Sequence, residues 1–347
     1  MKEIRAARWT PARELEIDAF RLADPGPGQA QVEVRSAGIC GSDLHFFRGD
    51  FAPRDGIVPG HEFGGVVSAL GKGVNHLREG DVVGVEPILR CGKCSNCRSG
   101  RYHVCTSRRL IGEDADGGMS ELANVPGDMV FAAPAGTDAE LAALAEPLAC
   151  SVHGFARARL RPGETVLVIG AGSIGLTALL AAKAAGARTL ILARHPQQRE
   201  AARVLGADEV LGEDEGGRER LAELAGQDAI DLCVESVGGR ADTILQAQRA
   251  VRRQGRVLVL GSFAVPTARL DPGHLVEREI EMIGSVAYGA PGGRVEYAMA
   301  LELLADCADR ARSLVTHRFG LEQANEAFAA ALDKSSRSIK VHLNPSA

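Results

Sequence analysis

VLVIGAGSIG, residues 166–175, sets four consecutive apolar residues against a turn that holds three glycines. An unbroken run of β-favouring side chains reads as a strand buried on both faces, the kind a parallel sheet requires. Gly170, Gly172 and Gly175 fit the spacing G-x-G-x-x-G, with Ser173 and Ile174 inside it. Gly170 permits the tight turn, Gly172 lets a pyrophosphate approach the backbone, and Gly175 lets the following helix pack on the strand. The helix N-terminus then favours phosphate charge. Alone this spacing is a weak signal, because glycine-rich turns are common. Here it stands between a buried strand and an alanine-rich helical run, which is the context it needs.

Outward from that stretch the same alternation continues. ARTLILA, AIDLCVESVG, GRVLVLGS and IEMIGS read as further buried strands, and LTALLAAKAAG and QQREAARVLGA as helices between the earlier ones. The pattern predicts a doubly wound parallel sheet with helices on both faces. Before Leu148 the texture differs. QAQVEVRSAG, EFGGVVSAL, GDVVGVEP and SELANVP are short apolar runs broken by Gly, Pro and Asp, which read as short antiparallel strands in a barrel-like domain. After Ser285 a helix near Arg294–Leu304, the run LVTHRFG, another helix and a last strand, IKVHL, return to that style. The expected class is therefore α/β. Residues 1–150 and 286–347 form a β-rich domain, and residues 151–285 form a dinucleotide-binding Rossmann domain.

Composition narrows the function. The 347 residues are 45% apolar and 24% charged, which suits two globular domains. A net charge of −5 offers no basic field to nucleic acid or a membrane, and 4% aromatics make base-stacking platforms a poor reading. MKEIRAARWTPARELEID has no apolar core of a signal peptide, and the longest apolar run, near Leu176–Ala182, is too short to span a bilayer. The expected location is the cytoplasm. Thiols stay reduced there, so the eight cysteines are expected as ligands or core residues rather than disulfides.

Four of those cysteines crowd one loop. CGKCSNCRSGRYHVC places Cys91, Cys94, Cys97 and Cys105 as C-x2-C-x2-C-x7-C. Four thiolates fill the tetrahedral shell of Zn²⁺ and leave no open position, so this site is expected to be structural. An iron–sulfur cluster also takes four thiolates, but the bacterial ferredoxin run has another spacing and ends in Cys-Pro. A second group mixes ligand types. CGSDLH carries Cys40, and PGHEFGG carries His61 and Glu62. Three mixed ligands with a free position is the catalytic zinc arrangement, in which the metal stabilises an alkoxide. Each residue alone has an ordinary reading: a small buried thiol, a satisfied histidine, a solvated glutamate.

CGSDLH, GHEFGG and the four-cysteine loop, in this order and ahead of a Rossmann unit, resemble the zinc-dependent medium-chain dehydrogenases over nearly the whole chain. The resemblance implies a GroES-like catalytic domain, a Rossmann cofactor domain, and two zinc ions, one catalytic and one structural. It implies Cys40 as the metal thiolate and Ser42 as the acceptor of the substrate hydroxyl proton. His45 matches the position that passes this proton to solvent. Glu146, in AEPLAC, stands where the ethanol-type branch has a cysteine and the sorbitol- and threonine-dehydrogenase-like branch has Glu. It therefore argues for the latter branch, and either Glu62 or Glu146 binds the metal directly. Lys340 falls where members carry a pyrophosphate contact, though a solvated lysine is the other reading. Phe47, Arg48 and Tyr288 are expected at the substrate by position, and Asp43 as a turn residue bonded to its own backbone.

About 20 residues past the glycine turn an NAD enzyme carries an acid for the ribose 2′-hydroxyl. This chain has Arg194, followed by His195, with Arg199 beyond. A guanidinium binds a 2′-phosphate bidentately where a carboxylate repels it. The expected cofactor is NADP, with NAD as the alternative if Arg194 points to solvent. The expected reaction is hydride transfer between NADP and a secondary alcohol, either a polyol, a sugar alcohol or an amino alcohol. Other readings are a zinc-independent enoyl or quinone reductase, and a non-enzymatic protein on the same fold. The resemblance implies a homodimer or homotetramer, with the strand near Ile280–Ser285 as the pairing edge.

Overall fold

The computed structural model describes residues 1–263 and 269–347. Its strands are β1 (Lys2–Trp9), β2 (Leu15–Leu22), β3 (Gln29–Gly38), β4 (Glu62–Leu70), β5 (Val82–Val85), β6 (Ile88–Leu89), β7 (Arg109–Leu110), β8 (Leu122–Pro126) and β9 (Val130–Ala132). Then follow β10 (Thr165–Ile169), β11 (Arg188–Leu192), β12 (Glu209–Leu211), β13 (Leu232–Glu235), β14 (Arg256–Val259) and β15 (Glu281–Gly284). The chain ends with β16 (Val315–Gly320) and β17 (Lys340–Asn344). The chain divides into two units, Met1–Glu146 with Gly289–Ala347, and Pro147–Tyr288.

The first unit is built on a sheet of order β16-β17-β3-β4-β5-β9, with β8 also paired to β3. Its pairs are antiparallel except β16 with β17. β3 is buried along most of its length, with Glu33 and Arg35 the more exposed interior positions, and Val32, Val34, Phe63, Val67, Val83, Val341 and Leu343 meet in one apolar core. The register sets Gly38 opposite Glu62 on one side and opposite His342 on the other. This brings the end of β3, which runs on into Cys40, beside the start of β4.

The second unit holds a parallel sheet of order β12-β11-β10-β13-β14-β15. All five residues of β10 are buried, as a strand covered on both faces demands. Leu167, Ile169, Leu190, Leu192, Cys233 and Val257 share a core with Leu224, Ala247 and Val251 from the covering helices. The strand order reverses between β10 and β13, and ligands of such sheets bind beyond the carboxyl ends at that point. The short strand β12 was not legible in the sequence; three residues carry too little pattern.

Candidate active site

CGSDLH is the start of a helix, Gly41–Arg48, rather than a turn alone. The Asp43 carboxylate accepts the Cys40 N–H at 2.8 Å, closing the first turn, and Gly49 ends the helix at φ 82°. His61 and Glu62 stand at the head of β4. Their ligand atoms and the Cys40 sulfur all lie within 4.8 Å of one another. Glu146, in the first turn of the helix Ala145–Ala158, is buried, and its charge is felt at His61. It is not part of the 4.8 Å group.

The electrostatics of this cluster are tense. Burial opposes charge on His61, but the Cys40 sulfur and the Asp43 carboxylate outweigh it and hold the imidazole pKa well above its ordinary value. Burial pushes Asp43 up to about 6. Its Oδ1 lies 3.8 Å from His61 Nδ1. Buried Ser42 Oγ, Asp43 Oδ1 and His61 Nδ1 have no hydrogen-bond partner among the described residues. Orphaned polar atoms around a thiol, an imidazole and a carboxylate are what a cation site looks like from its protein side, and this donor set suits zinc.

Lys340 belongs to this cluster. The sequence suggested a pyrophosphate contact or a solvated side chain; the structure buries it in an ion pair with Glu62, and its ammonium also donates to the Ile39 carbonyl at 3.0 Å. Gly38 makes the pair possible. A Cβ there would stand 2.5 Å from Glu62 Oε2 and 2.9 Å from Lys340 Cε.

The four-cysteine loop runs between β6 and β7, which pair as a short ladder at its base. Its sulfurs sit 3.5 Å apart for Cys94–Cys97 and 3.9 Å for both Cys91–Cys97 and Cys94–Cys105. Ligands at ~2.3 Å from a tetrahedral ion are separated by about 3.8 Å, so the spacing fits zinc. Backbone N–H groups of Cys94, Cys97 and Ser107 donate to the sulfurs of Cys91, Cys94 and Cys105. The Cys97 N–H holds the Cys94 thiol down to about 6, while burial and then its bonds to neighbouring sulfurs hold Cys97 up to about 12. With a cation among them, all four sulfurs at this spacing could be thiolates.

Beside the mixed cluster, His45 Nδ1 hydrogen-bonds Asp50 at 2.7 Å, and Arg48 Nε donates to the same carboxylate at 3.2 Å. The hydrogen bond from His45 lowers the Asp50 pKa. Asp50 is a partner that sequence reasoning missed. Phe47, expected at the substrate, packs instead on Phe328 and Trp9 in the core, with ring centroids 5.2 and 6.4 Å away. Arg48 is committed to Asp50, and Tyr288 is wholly buried.

In the second unit, a pocket of about 230 Å³ opens at the ends of β10, β11 and β13. Gly170, Ala171, Arg194, His195, Glu213 and Val237 are among its lining residues. Gly170 turns the chain at φ 97°, and a Cβ on Gly175 would collide with the Gly170 carbonyl. Gly172, which caps the helix Ser173–Ala184, has nothing within 4 Å of its would-be Cβ. That open space before a helix N-terminus is a cradle for a pyrophosphate, so these residues fit a dinucleotide. Arg194 Nε donates to the Glu213 carboxylate at 2.6 Å. Arg199 does not line the pocket. It braces the loop, donating to the Ala193 carbonyl at 3.0 Å and pairing with Asp214 at 3.3 Å. Glu235, also missed in sequence, gathers the N–H groups of Val237 and Gly238 and the Thr243 hydroxyl, shaping the loop beneath the pocket.

Residues 26–135 match the alcohol dehydrogenase GroES-like domain, and residues 173–306 match the zinc-binding dehydrogenase domain. A sorbitol dehydrogenase of Bacillus subtilis is 30% identical over 99% of this chain and 98% of its own. The chain belongs to the zinc-dependent medium-chain dehydrogenases. An L-threonine 3-dehydrogenase of Pyrococcus abyssi is 34% identical over 76% of each chain, which agrees with the branch that Glu146 indicated. Among solved structures, a zinc-binding dehydrogenase of Sinorhizobium meliloti bound to NADP superposes with a TM-score of 0.89 at 28% identity, covering 99% of this chain and 100% of that one. The dehydrogenase is thus an oxidoreductase acting on CH–OH groups, with a GroES-like domain and a Rossmann domain. No helix among the described residues is long and apolar enough to cross a membrane.

Proposed function

We propose that this dehydrogenase interconverts a secondary alcohol and its ketone, with a polyol, sugar alcohol or amino alcohol as substrate and NADP as hydride carrier. The observation that carries the reading is the approach of Cys40, His61 and Glu62 within 4.8 Å, beside buried Ser42 Oγ, Asp43 Oδ1 and His61 Nδ1 atoms that have no hydrogen-bond partner among the described residues. These three would hold the catalytic zinc, and Cys91, Cys94, Cys97 and Cys105 the structural one. The ion, when bound, supplies Lewis acidity that eases loss of the substrate hydroxyl proton. Lys340 balances the Glu62 carboxylate, and Glu146 stands behind the ligands as a second buried carboxylate.

The chain's own residues then manage the proton. Ser42 Oγ, buried and without a hydrogen-bond partner among the described residues, accepts it. His45 carries it outward; Asp50 holds Nδ1 and so leaves Nε2 for the transfer. Met1–Glu146 with Gly289–Ala347 is the catalytic part, and Pro147–Tyr288 holds the cofactor by Gly170, Gly172, Gly175 and Arg194. We place the enzyme in the cytoplasm as a homodimer or homotetramer. β15, one of the two edge strands of its sheet, is the pairing edge in this reading.

The test is reduced-nicotinamide formation across polyols, sugar alcohols and 3-hydroxy amino acids, with NADP⁺ and NAD⁺ side by side. Turnover preferring NADP⁺ is expected. A preference for NAD⁺ removes Arg194 as a phosphate clamp, and no turnover with either cofactor on purified zinc-loaded enzyme counts against the substrate class. A second expectation concerns Asp43, which faces His61 Nδ1. Asp43→Asn keeps the shape and removes the charge that orients the imidazole, so affinity for the catalytic zinc should fall about 10–100-fold. Competition with a chelator of known affinity reads this directly; unchanged zinc retention would make Asp43 a helix cap and nothing more.

A further inference from the structure

We infer that Glu213 is the residue that sets cofactor selectivity, by competing with the ribose 2′-phosphate for Arg194. The inference rests on the NADP reading above and goes beyond it. Arg194 sits at the end of β11, the position that meets the ribose in this kind of sheet. It is the cation expected to attract a 2′-phosphate. Yet its Nε is already engaged by Glu213 at 2.6 Å, and both residues line the same pocket.

Glu213 follows β12, the next strand outward, and the parallel pairing of β11 with β12 brings the two strand ends together. The arrangement is braced. Arg199 holds the Ala193 carbonyl on one side and Asp214 on the other, so the loops bearing Arg194 and Glu213 are tied to each other. Arg199 pairs with Asp214 and Arg194 with Glu213, while Arg218 donates to the Glu213 main-chain carbonyl rather than to its carboxylate.

The chemistry follows from charge. A 2′-phosphate carries nearly two negative charges at neutral pH and needs the guanidinium fork to itself for a bidentate contact. It must displace Glu213 and then bind beside a carboxylate of the same sign. A ribose 2′-hydroxyl faces no such cost, and the Glu213 carboxylate can accept a hydrogen bond from it. The Arg194–Glu213 pair thus holds the pocket between the two cofactors, with Glu213 drawing it toward NAD and Arg194 toward NADP.

The experiment uses the whole chain and two probes that differ only in the 2′-phosphate, 2′,5′-ADP and 5′-AMP, with dissociation constants from titration calorimetry. Glu213→Gln should tighten 2′,5′-ADP about five- to tenfold, the effect expected of removing one like charge a few ångströms away in a solvated pocket. Binding of 5′-AMP should hold or weaken slightly. Glu200→Gln makes the same charge change on the helix Pro196–Val204, where Glu200 pairs with Arg203, and should change neither. An unmoved ratio in Glu213→Gln overturns the inference, as does an equal shift in Glu200→Gln. If 2′,5′-ADP binds no better than 5′-AMP to both native and Glu213→Gln protein, the NADP reading falls with it. If the native protein already prefers 2′,5′-ADP and the variant leaves that preference unchanged, only the role of Glu213 falls.

Discussion

Cys94→Ser is expected to remove the structural zinc and with it the order of residues 91–105, lowering zinc content from two ions per chain to one. The substitution isolates the metal from other effects. Cys94 caps the short helix Ser95–Arg98 by accepting the Cys97 N–H, and a serine hydroxyl accepts the same bond. What serine cannot supply at neutral pH is an anionic ligand. The first half of the loop buries little of itself: Cys91, Cys94 and Cys97 are only partly buried, whereas Tyr102, His103 and Cys105 are buried. Its other fixed points include the β6–β7 pair, the buried Tyr102 hydroxyl bond to Glu86, the Asn96 bond to the Val104 carbonyl at 2.7 Å, and the Ala290 bond to the Gly100 carbonyl at 2.7 Å. Structural zinc contributes about 10–16 kcal/mol of apparent binding energy in small zinc modules, so losing even a third of that here is a large fraction of a protein's stability. The apparent Tm should fall by roughly 10 °C or more, and limited proteolysis should cut first within residues 91–105. Retention of two zinc ions with native Tm would remove Cys94 from the ligand set.

The parts of this enzyme that were legible in sequence are those whose chemistry is local. The four cysteines suggest an ion because fifteen residues of chain, 91–105, can close around it, and the glycine turn suggests a phosphate because strand, turn and helix are contiguous. Cys40 with His61 and Glu62 was legible as a set of ligand types, but their meeting depends on the β3–β4 register, which no local pattern supplies. What stayed hidden depends on contacts between distant stretches. Lys340 reaches the carbonyl of Ile39, 301 positions earlier, only because β17 lies beside β3. Glu213 meets Arg194 from the end of a three-residue strand that no periodicity reveals. Asp43 was read as a backbone cap, which it is, but its second oxygen faces His61, and that face is set by the helix that CGSDLH turns out to begin. Phe47 was placed by analogy with position alone; its ring went to Phe328 and Trp9 because the apolar side of that helix must pack somewhere.

Cys40→Ser should abolish alcohol oxidation while leaving the cofactor half intact. Cys40 is the residue before the helix Gly41–Arg48, and serine is favoured at such a position, so the helix keeps its start and the Asp43 bond to the residue 40 N–H survives. The thiolate is lost, and with it the softest ligand of the three. His61 and Glu62 remain, but Glu62 is shared with Lys340, so the remaining set carries little net negative charge for a dication. Zinc content should fall from two ions to one, and the surviving ion should be the one held by the four-cysteine loop. Without Lewis-acid help the hydride and proton must leave an ordinary alcohol, and the loss of several kcal/mol of transition-state stabilisation corresponds to a fall of about 10³–10⁴ in kcat/KM. Binding of 2′,5′-ADP and 5′-AMP should match the native protein, because Gly170, Gly172 and Arg194 belong to the other unit. That combination separates a lost metal from a lost fold. A Cys40→Ser enzyme that keeps two zinc ions and turns over within about tenfold of native would mean that Cys40 is a small buried residue and not a ligand. One that loses the ion yet keeps full activity would mean that alcohol oxidation here does not depend on a metal held by Cys40.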